Sequence, residues 1–195
     1  SSVRSIMLGN APKDNQENRI YGLKLGFEFI SNRHNHITEE NIHKLYMMAI
    51  GNFLEGDDRL RDGEFYRHDD VYVVGGDGVV HRGIGSGKLP GYMKQFVDFA
   101  NADDGINDLL KAAMLHFDIA YLHPYFDGNG RMARLLHMWF LIQKGYGSTL
   151  FVPMSSYIEK SRGKYYDAYT LVENNARLAG VTDVTPFLIY FIKNV

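Results

Sequence analysis

Residues 106–144 read INDLLKAAMLHFDIAYLHPYFDGNGRMARLLHMWFLIQK, two apolar stripes joined by a loop of glycine and charge. In the first half, Ile106, Leu109, Leu110, Ala113, Met114, Phe117 and Tyr121 recur at i, i+3, i+4 and i+7, the spacing of one helical face. In the second half, Met132, Leu135, Leu136, Trp139 and Phe140 repeat the pattern, and Lys144-Gly145 is a helix ending. The spacing predicts helices over Ile106–Tyr121 and Arg131–Lys144 at the centre of a mainly α fold.

The rest of the chain builds around that pair. Gln16 to Ile30 places Ile20, Leu23, Phe27 and Ile30 on one helical face. Thr38 is a helix N-cap followed by Glu39 and Glu40, where negative charge suits the dipole, and this helix is expected to run to Leu54. Further helices are predicted over Leu89–Ala100, Lys164–Arg177 and Phe187–Lys193, the last with Thr185 as cap and Pro186 at the first helical position. One stretch departs from the helical pattern. Val71 to Val74 and Val79-Val80 are β-branched runs on either side of Gly75-Gly76-Asp77-Gly78, the signature of a small β-hairpin.

Composition narrows the class. A chain of 195 residues, 45% of them hydrophobic, is long enough for one domain with a core of its own. Twenty-one basic against 23 acidic residues give a formal charge of −2, so no basic face for nucleic acid or an anionic membrane is implied. There is no cysteine, which removes disulfides, thiolate zinc sites and cysteine nucleophiles together. No apolar run approaches the ~20 residues of a membrane span, and no secretion signal opens the chain. The sequence begins Ser1-Ser2 and reads as a trimmed fragment of an intracellular, cytoplasmic protein, with residues 1–15 as an N-terminal segment and 16–195 as the helical domain.

The chemistry concentrates in His123-Pro124-Tyr125-Phe126-Asp127-Gly128-Asn129-Gly130-Arg131-Met132-Ala133-Arg134. Gly128 and Gly130 stand just ahead of a helix, where free amides and the positive dipole end bind anions. Arg131 and Arg134 are three apart on the first turn, so both guanidinium groups reach one polyphosphate. Asp127 is a hard oxygen ligand for a Mg²⁺ riding on phosphates, which needs only one or two protein carboxylates. His123 ends the preceding helix and is placed to take a proton from an attacking hydroxyl near neutral pH. Together these residues describe transfer to or from a polyphosphate.

This segment resembles the motif of the Fic (filamentation induced by cAMP) family, His-Pro-Phe-x-Asp/Glu-Gly-Asn-Gly-Arg-x-x-Arg, with Tyr125 in place of the usual Phe. The resemblance extends through Gly63-Glu64-Phe65-Tyr66-Arg67 and the hairpin to Thr185-Pro186-Phe187, essentially the whole chain. It implies a Fic-type helical bundle that moves AMP from ATP onto a Tyr, Thr or Ser hydroxyl of a target protein, and onto itself, with release of pyrophosphate. On this resemblance His123 is the general base, Asp127 holds Mg²⁺, Asn129 contacts the α-phosphate, the amides around Gly128 and Gly130 form the anion hole, and Arg131 and Arg134 grip the β- and γ-phosphates. Val73, Val74, Gly75 and Gly76 correspond to a flap that clamps the target by strand-like pairing. Tyr165 and Tyr166 match a pair lining the adenine pocket, with Glu173 or Asn174 near a purine-contacting position. Relatives often pair, so a homodimer is a possible state.

A second, shorter match lies at the start. Many Fic proteins carry an inhibitory helix with Ser/Thr-x-x-x-Glu-Gly/Asn, and Ser5-Ile6-Met7-Leu8-Gly9-Asn10 fits it with Gly9 in place of Glu. Glycine costs about 1 kcal/mol relative to alanine inside a helix. Without a carboxylate at Gly9, Arg134 is expected to be free for the γ-phosphate.

Other signals are weaker. Gly83-Ile84-Gly85-Ser86-Gly87-Lys88-Leu89 lacks the spacing and the trailing Ser/Thr of a phosphate loop. His34 and His36 have no further ligands nearby in sequence and read as solvated; His116 and His137 read as structural. Competing functions are phosphate transfer, phosphocholine transfer, removal of AMP from targets, and nucleotide sensing without turnover. Gly130 argues against the kinase-like branch, which carries a bulkier residue there. Intact His123 and Asp127 argue against a module without turnover.

Overall fold

A computed structural model of the chain describes residues 2–75 and 78–195. Among these, the helices are α1 (Ser2–Met7), α2 (Asn15–Ser31), α3 (Glu39–Ala49), α4 (Leu89–Asn101), α5 (Asp108–Leu122), α6 (Asn129–Gln143), α7 (Met154–Lys160), α8 (Arg162–Ala179) and α9 (Thr185–Asn194). Strands β1 (Tyr72–Gly75) and β2 (Gly78–Arg82) form one antiparallel hairpin between α3 and α4. No described helix is long and apolar enough to cross a membrane.

The α5–α6 pair is the most extensive packing in the molecule and the axis about which the rest is arranged. Phe117 and Ile119 from α5 and Leu135, Trp139 and Phe140 from α6 are all fully buried. The α5 start is set by Asn107, whose side chain accepts from the amides of Leu109 and Leu110, so Ile106 falls outside the helix and is 36% exposed. Helix α2 crosses α3 so closely that a Cβ on Gly22 would stand 2.3 Å from the Ala49 carbonyl oxygen. Trp139 Nε1 donates to the Asn35 carbonyl oxygen at 2.9 Å, fixing the loop after α2 to α6. On the far side α8 and α9 enclose an aromatic cluster of Phe117, Tyr165, Tyr169, Phe187 and Phe191.

The described structure also departs from the sequence pattern at other helix ends. Helix α3 stops at Ala49, not Leu54, because Ile50 leaves helical geometry and Gly51–Phe53 forms a tighter turn. Thr185 is the first residue of α9, and Val184 occupies the cap position. Helix α7 leaves no signal in the sequence, since Met154 and Ile158 are its only buried residues and one i, i+4 pair makes no periodic pattern.

Asp118 is a partly buried carboxyl on α5. It sits near Tyr169, and burial alone pushes its carboxyl up to about 7. A carboxyl raised from 3.8 to about 7 holds its proton longer in the folded state than in the unfolded chain. The resulting penalty is absent below pH ~4, grows between ~4 and ~7, and is complete above that. Asp118→Asn should therefore stabilise the protein at pH 8 by roughly 2–4 kcal/mol, from about 1.4 kcal/mol per unit of pKa shift. Urea melts of both proteins at pH 8 and pH 4.5 check this. A gap that fails to shrink at the lower pH would mean that the carboxyl is not the cause.

Candidate active site

The loop between α5 and α6 is built by its own backbone and by three outside residues. His123 ends α5 with φ 53° and ψ 58°, the one described non-glycine residue with positive φ. Its carbonyl oxygen accepts from Arg67 Nε at 2.7 Å, and the Arg67 amide donates to the Pro124 carbonyl oxygen at 2.9 Å. Tyr125 is fully buried and its ring stacks flat on Tyr46, with centroids 3.7 Å apart. The Tyr125 hydroxyl meets no partner among the described residues, so this position uses only the ring. The Tyr46 hydroxyl donates to the Asp127 carbonyl oxygen at 3.4 Å.

Gly128 is required twice over. Its φ of +87° is the left-handed region, and a Cβ there would stand 2.7 Å from Ile50 Cδ1. The early end of α3 is what brings Ile50 against this turn. Asn129 closes the loop from inside: it is 3% exposed, its Oδ1 accepts from the Tyr125 amide at 3.0 Å, and its Nδ2 donates to the Tyr125 carbonyl oxygen at 2.8 Å. Its side chain thus shapes the loop that α6 starts from, a use the sequence did not indicate.

The charged groups face the same end of α6. Asp127 Oδ1 accepts from the Gly128 amide at 2.6 Å, and Oδ2 accepts from Arg131 Nη2 at 3.0 Å. The carboxylate, 45% exposed, lies against donors that an incoming phosphate would use. Arg134 lies deeper, one turn on, with Nη1 3.6 Å from where a Gly130 Cβ would stand. Burial lowers its pKa below the usual guanidinium range; Tyr165, Arg131, Tyr166 and, from α5, His116 act on it, and no carboxylate pairs with it among the described residues. A partly buried cation without an anion is costly, and this one sits where the helix dipole is also positive.

His123 has the properties of a base. Nδ1 lies 3.2 Å from the Ala120 carbonyl oxygen, which can only accept, so Nδ1 carries the proton and Nε2 is left as the acceptor. Burial lowers its pKa, with His81 and Arg67 adding to the effect and the Ala120 bond and Asp127 opposing it. The ring is therefore neutral at pH 7.

The remaining candidates separate. Tyr165 is buried, with its hydroxyl shared between His116 Nε2 at 3.0 Å and Tyr169 at 3.3 Å, whereas Tyr166 is 47% exposed. His116 and His137 are buried in the core, and burial holds His137 down at about 4. His34 and His36 are exposed. Val73, Val74 and Gly75 lie on or at the end of β1; Gly76 is outside the described residues.

At the N-terminus, Gly9 is not inside a helix. It has φ +92°, its amide donates to the Ile6 carbonyl oxygen, and the Asn10 amide reaches back to the Ser5 carbonyl oxygen. Asn10 Nδ2 also donates to Ser5 Oγ at 3.1 Å. Ser5, Gly9 and Asn10 are thus the parts of a left-handed helix stop. The expected penalty for a helical glycine does not arise. Leu8 is the residue just ahead of the stop and is 73% exposed.

Arg67, His81 and Glu173 take part in this site through bonds across 56 and 92 residues. Arg67 was visible only as the end of the Gly63-Glu64-Phe65-Tyr66-Arg67 stretch, and nothing local marked His81.

Residues 36–141 match the model of the Fic/DOC family. Over 193 residues the chain is 30% identical to a protein adenylyltransferase Fic of Drosophila willistoni, covering 96% of this chain and 34% of that protein. A relative of the same name from Culex quinquefasciatus is also 30% identical. The chain spans about a third of the length of these relatives. Among solved structures, a Fic family protein from Desulfovibrio desulfuricans superposes with a TM-score of 0.77 at 18% identity, over 99% of this chain and 55% of that one. A Fic domain containing signaling protein from Bacteroides thetaiotaomicron gives 0.71 at 24%, over 99% and 74%. The fold is shared with both.

Proposed function

This chain belongs to the Fic/DOC family, and on that premise we propose that it is a protein adenylyltransferase, moving AMP from Mg·ATP to a protein hydroxyl. Arg134 carries the reading, a partly buried guanidinium with no carboxylate partner among the described residues, close to Gly130 and one turn beyond Arg131 on α6. A polyphosphate supplies the missing negative charge along that whole line.

In the proposed step a target hydroxyl oxygen bonds to the α-phosphorus, the bond to the pyrophosphate oxygen breaks, and His123 Nε2 takes the hydroxyl proton. Asp127 fits a Mg²⁺ that arrives with the nucleotide: it is a single half-exposed carboxylate, and the described residues contain no group of three or more His, Asp or Glu that could cage a metal. Such an ion supplies neutralisation of phosphate charge when bound. Turning the Asp127 carboxylate outward releases the Gly128 amide and Arg131 for the phosphates. Asn129 serves by keeping the loop closed, and Tyr166 is the exposed member of the tyrosine pair available to a base.

We read the N-terminal segment as an inhibitory helix without its inhibitory group. In the Ser5-x-x-x-Gly9-Asn10 match the place of the Glu is Gly9, which carries no carboxylate. The test is the intact mass of the protein after incubation with Mg·ATP, run beside Gly9→Glu. The parent is expected to gain AMP units and Gly9→Glu to gain them severalfold more slowly, even though a Glu at φ +92° costs about 1–2 kcal/mol and loosens the helix stop. Phosphate units instead of AMP would replace the reaction by phosphate transfer. Gly9→Glu labelling as fast as the parent would remove the brake.

A further inference from the structure

Among the described side chains of the hairpin, His81 ties it to the helices. In β2, His81 places Nε2 2.8 Å from the Tyr121 carbonyl oxygen in the last turn of α5, and Nδ1 on the Glu173 carboxylate of α8. Both partners are acceptors, so they are met only if both ring nitrogens, or Nε2 and the facing carboxyl oxygen, carry protons. The His81 and Glu173 side chains are 16% and 26% exposed, which shields the bond from water. The ring also lies 5.2 Å from the Tyr121 ring and 6.2 Å from the His123 ring. Backbone register explains how a strand residue reaches inward here. Val73 pairs with His81 but Val74 pairs with Val79, so β2 carries an extra residue just before His81. Bulges of this kind re-aim side chains and bend a strand beside a site.

A two-stranded hairpin is marginal by itself in water. Resting on the adenylyltransferase reading above, we propose that His81 and Glu173 form a clasp that registers the hairpin against α8 and the end of α5, so that a protein target added along the hairpin lies opposite His123. His81 and Glu173 are positioning residues. Glu173 is thereby committed to the hairpin, while the neighbouring Asn174 accepts from Arg177 on the surface at 3.2 Å.

The test separates bonding from bulk. Glu173→Leu keeps volume and removes the acceptor, Glu173→Gln keeps a neutral acceptor oxygen, and His81→Phe keeps a ring without nitrogens. Amide hydrogen exchange of β2 in the nucleotide-free protein is expected to quicken by about tenfold or more in Glu173→Leu and His81→Phe, the factor for one charge-assisted bond. Glu173→Gln should lie between these and the parent, and Glu173→Leu combined with His81→Phe should add little to either alone. Affinity for a non-hydrolysable ATP analogue should stay within about twofold, since the clasp grips the hairpin and not the nucleotide. With a His123→Ala copy of the chain as acceptor, KM for the acceptor should rise about tenfold with kcat nearly unchanged, the mark of lost positioning. Parent-like exchange in Glu173→Leu overturns the clasp. So does weakened analogue binding with unchanged exchange, which would give Glu173 to the nucleotide. A parent chain that transfers no AMP to any acceptor sinks the transferase reading and leaves the exchange arm to decide the clasp.

Discussion

Replacing His123 by alanine is expected to lower the rate of the proposed AMP transfer by about 10²–10⁴-fold, the contribution of a general base. The Ala120 carbonyl oxygen fixes the Nδ1 proton, leaving Nε2 as the only basic atom of the ring. Burial holds the ring below the ordinary histidine pKa of 6.5, so it is neutral and ready at pH 7. The parent rate should accordingly rise with pH and level off with a midpoint below 6.5. His81 is the nearest replacement, but both of its nitrogens are engaged with acceptors. The variant should also be read beside His123→Asn, because position 123 has φ 53°, which asparagine tolerates better than alanine. Equal losses in the two variants, with unchanged circular dichroism, assign the effect to the missing base. An alanine variant that transfers at the parent rate would move the proton acceptor elsewhere.

Most of the architecture was written in local pattern. Helices α5 and α6 were legible because their apolar stripes are long and the loop between them carries its own glycines. Their starts were two residues out, since they depend on the Asn107 cap and on left-handed Gly128. What a sequence window cannot hold is the pairing of distant groups. Asn129 could be read as an anion contact because its donors fit that role; only the turn of the backbone shows both ends of its amide on Tyr125. Tyr165 and Tyr166 are adjacent in sequence, yet α8 turns one into the aromatic core and the other outward. In sequence Gly9 looks like a fault within a helix, whereas its φ makes it the stop. The same reasoning applies with most force to Arg67, which has no local signature for burial and is 2% exposed.

Arg67→Met is expected to destabilise the protein by about 3–5 kcal/mol, the cost of breaking a buried, hydrogen-bonded charge network. The guanidinium holds three carbonyl oxygens from three segments: His123 at 2.7 Å, Asp69 at 2.6 Å, and Ile84. Asp70, 3.9 Å away and 34% exposed, offsets part of the burial cost without removing it. The surrounding backbone is strapped to match, with the Ile84 amide on the Leu122 carbonyl oxygen and the Gly83 amide on that of Val71. Gly83 makes room for the charge, since a Cβ there would stand 2.8 Å from Arg67 Nη2 and 3.1 Å from His123 Cβ. Methionine fills most of the volume and supplies no donor, so three covered carbonyls lose their partner at about 1–3 kcal/mol each before relaxation. Lysine brings one ammonium to a site shaped for a fork and should recover only part of the loss. Urea midpoints at constant m measure it, and a Met variant within 1 kcal/mol of the parent would show that the carbonyls find water instead. The same substitution bears on chemistry. A left-handed non-glycine residue costs of order 1–3 kcal/mol and persists only while its surroundings hold it, and Arg67 Nε is the bond on the His123 carbonyl. At a temperature where both proteins are folded, Arg67→Met should therefore still transfer AMP more slowly than the parent. Equal rates there would confine Arg67 to stability and leave the geometry of His123 to the loop itself.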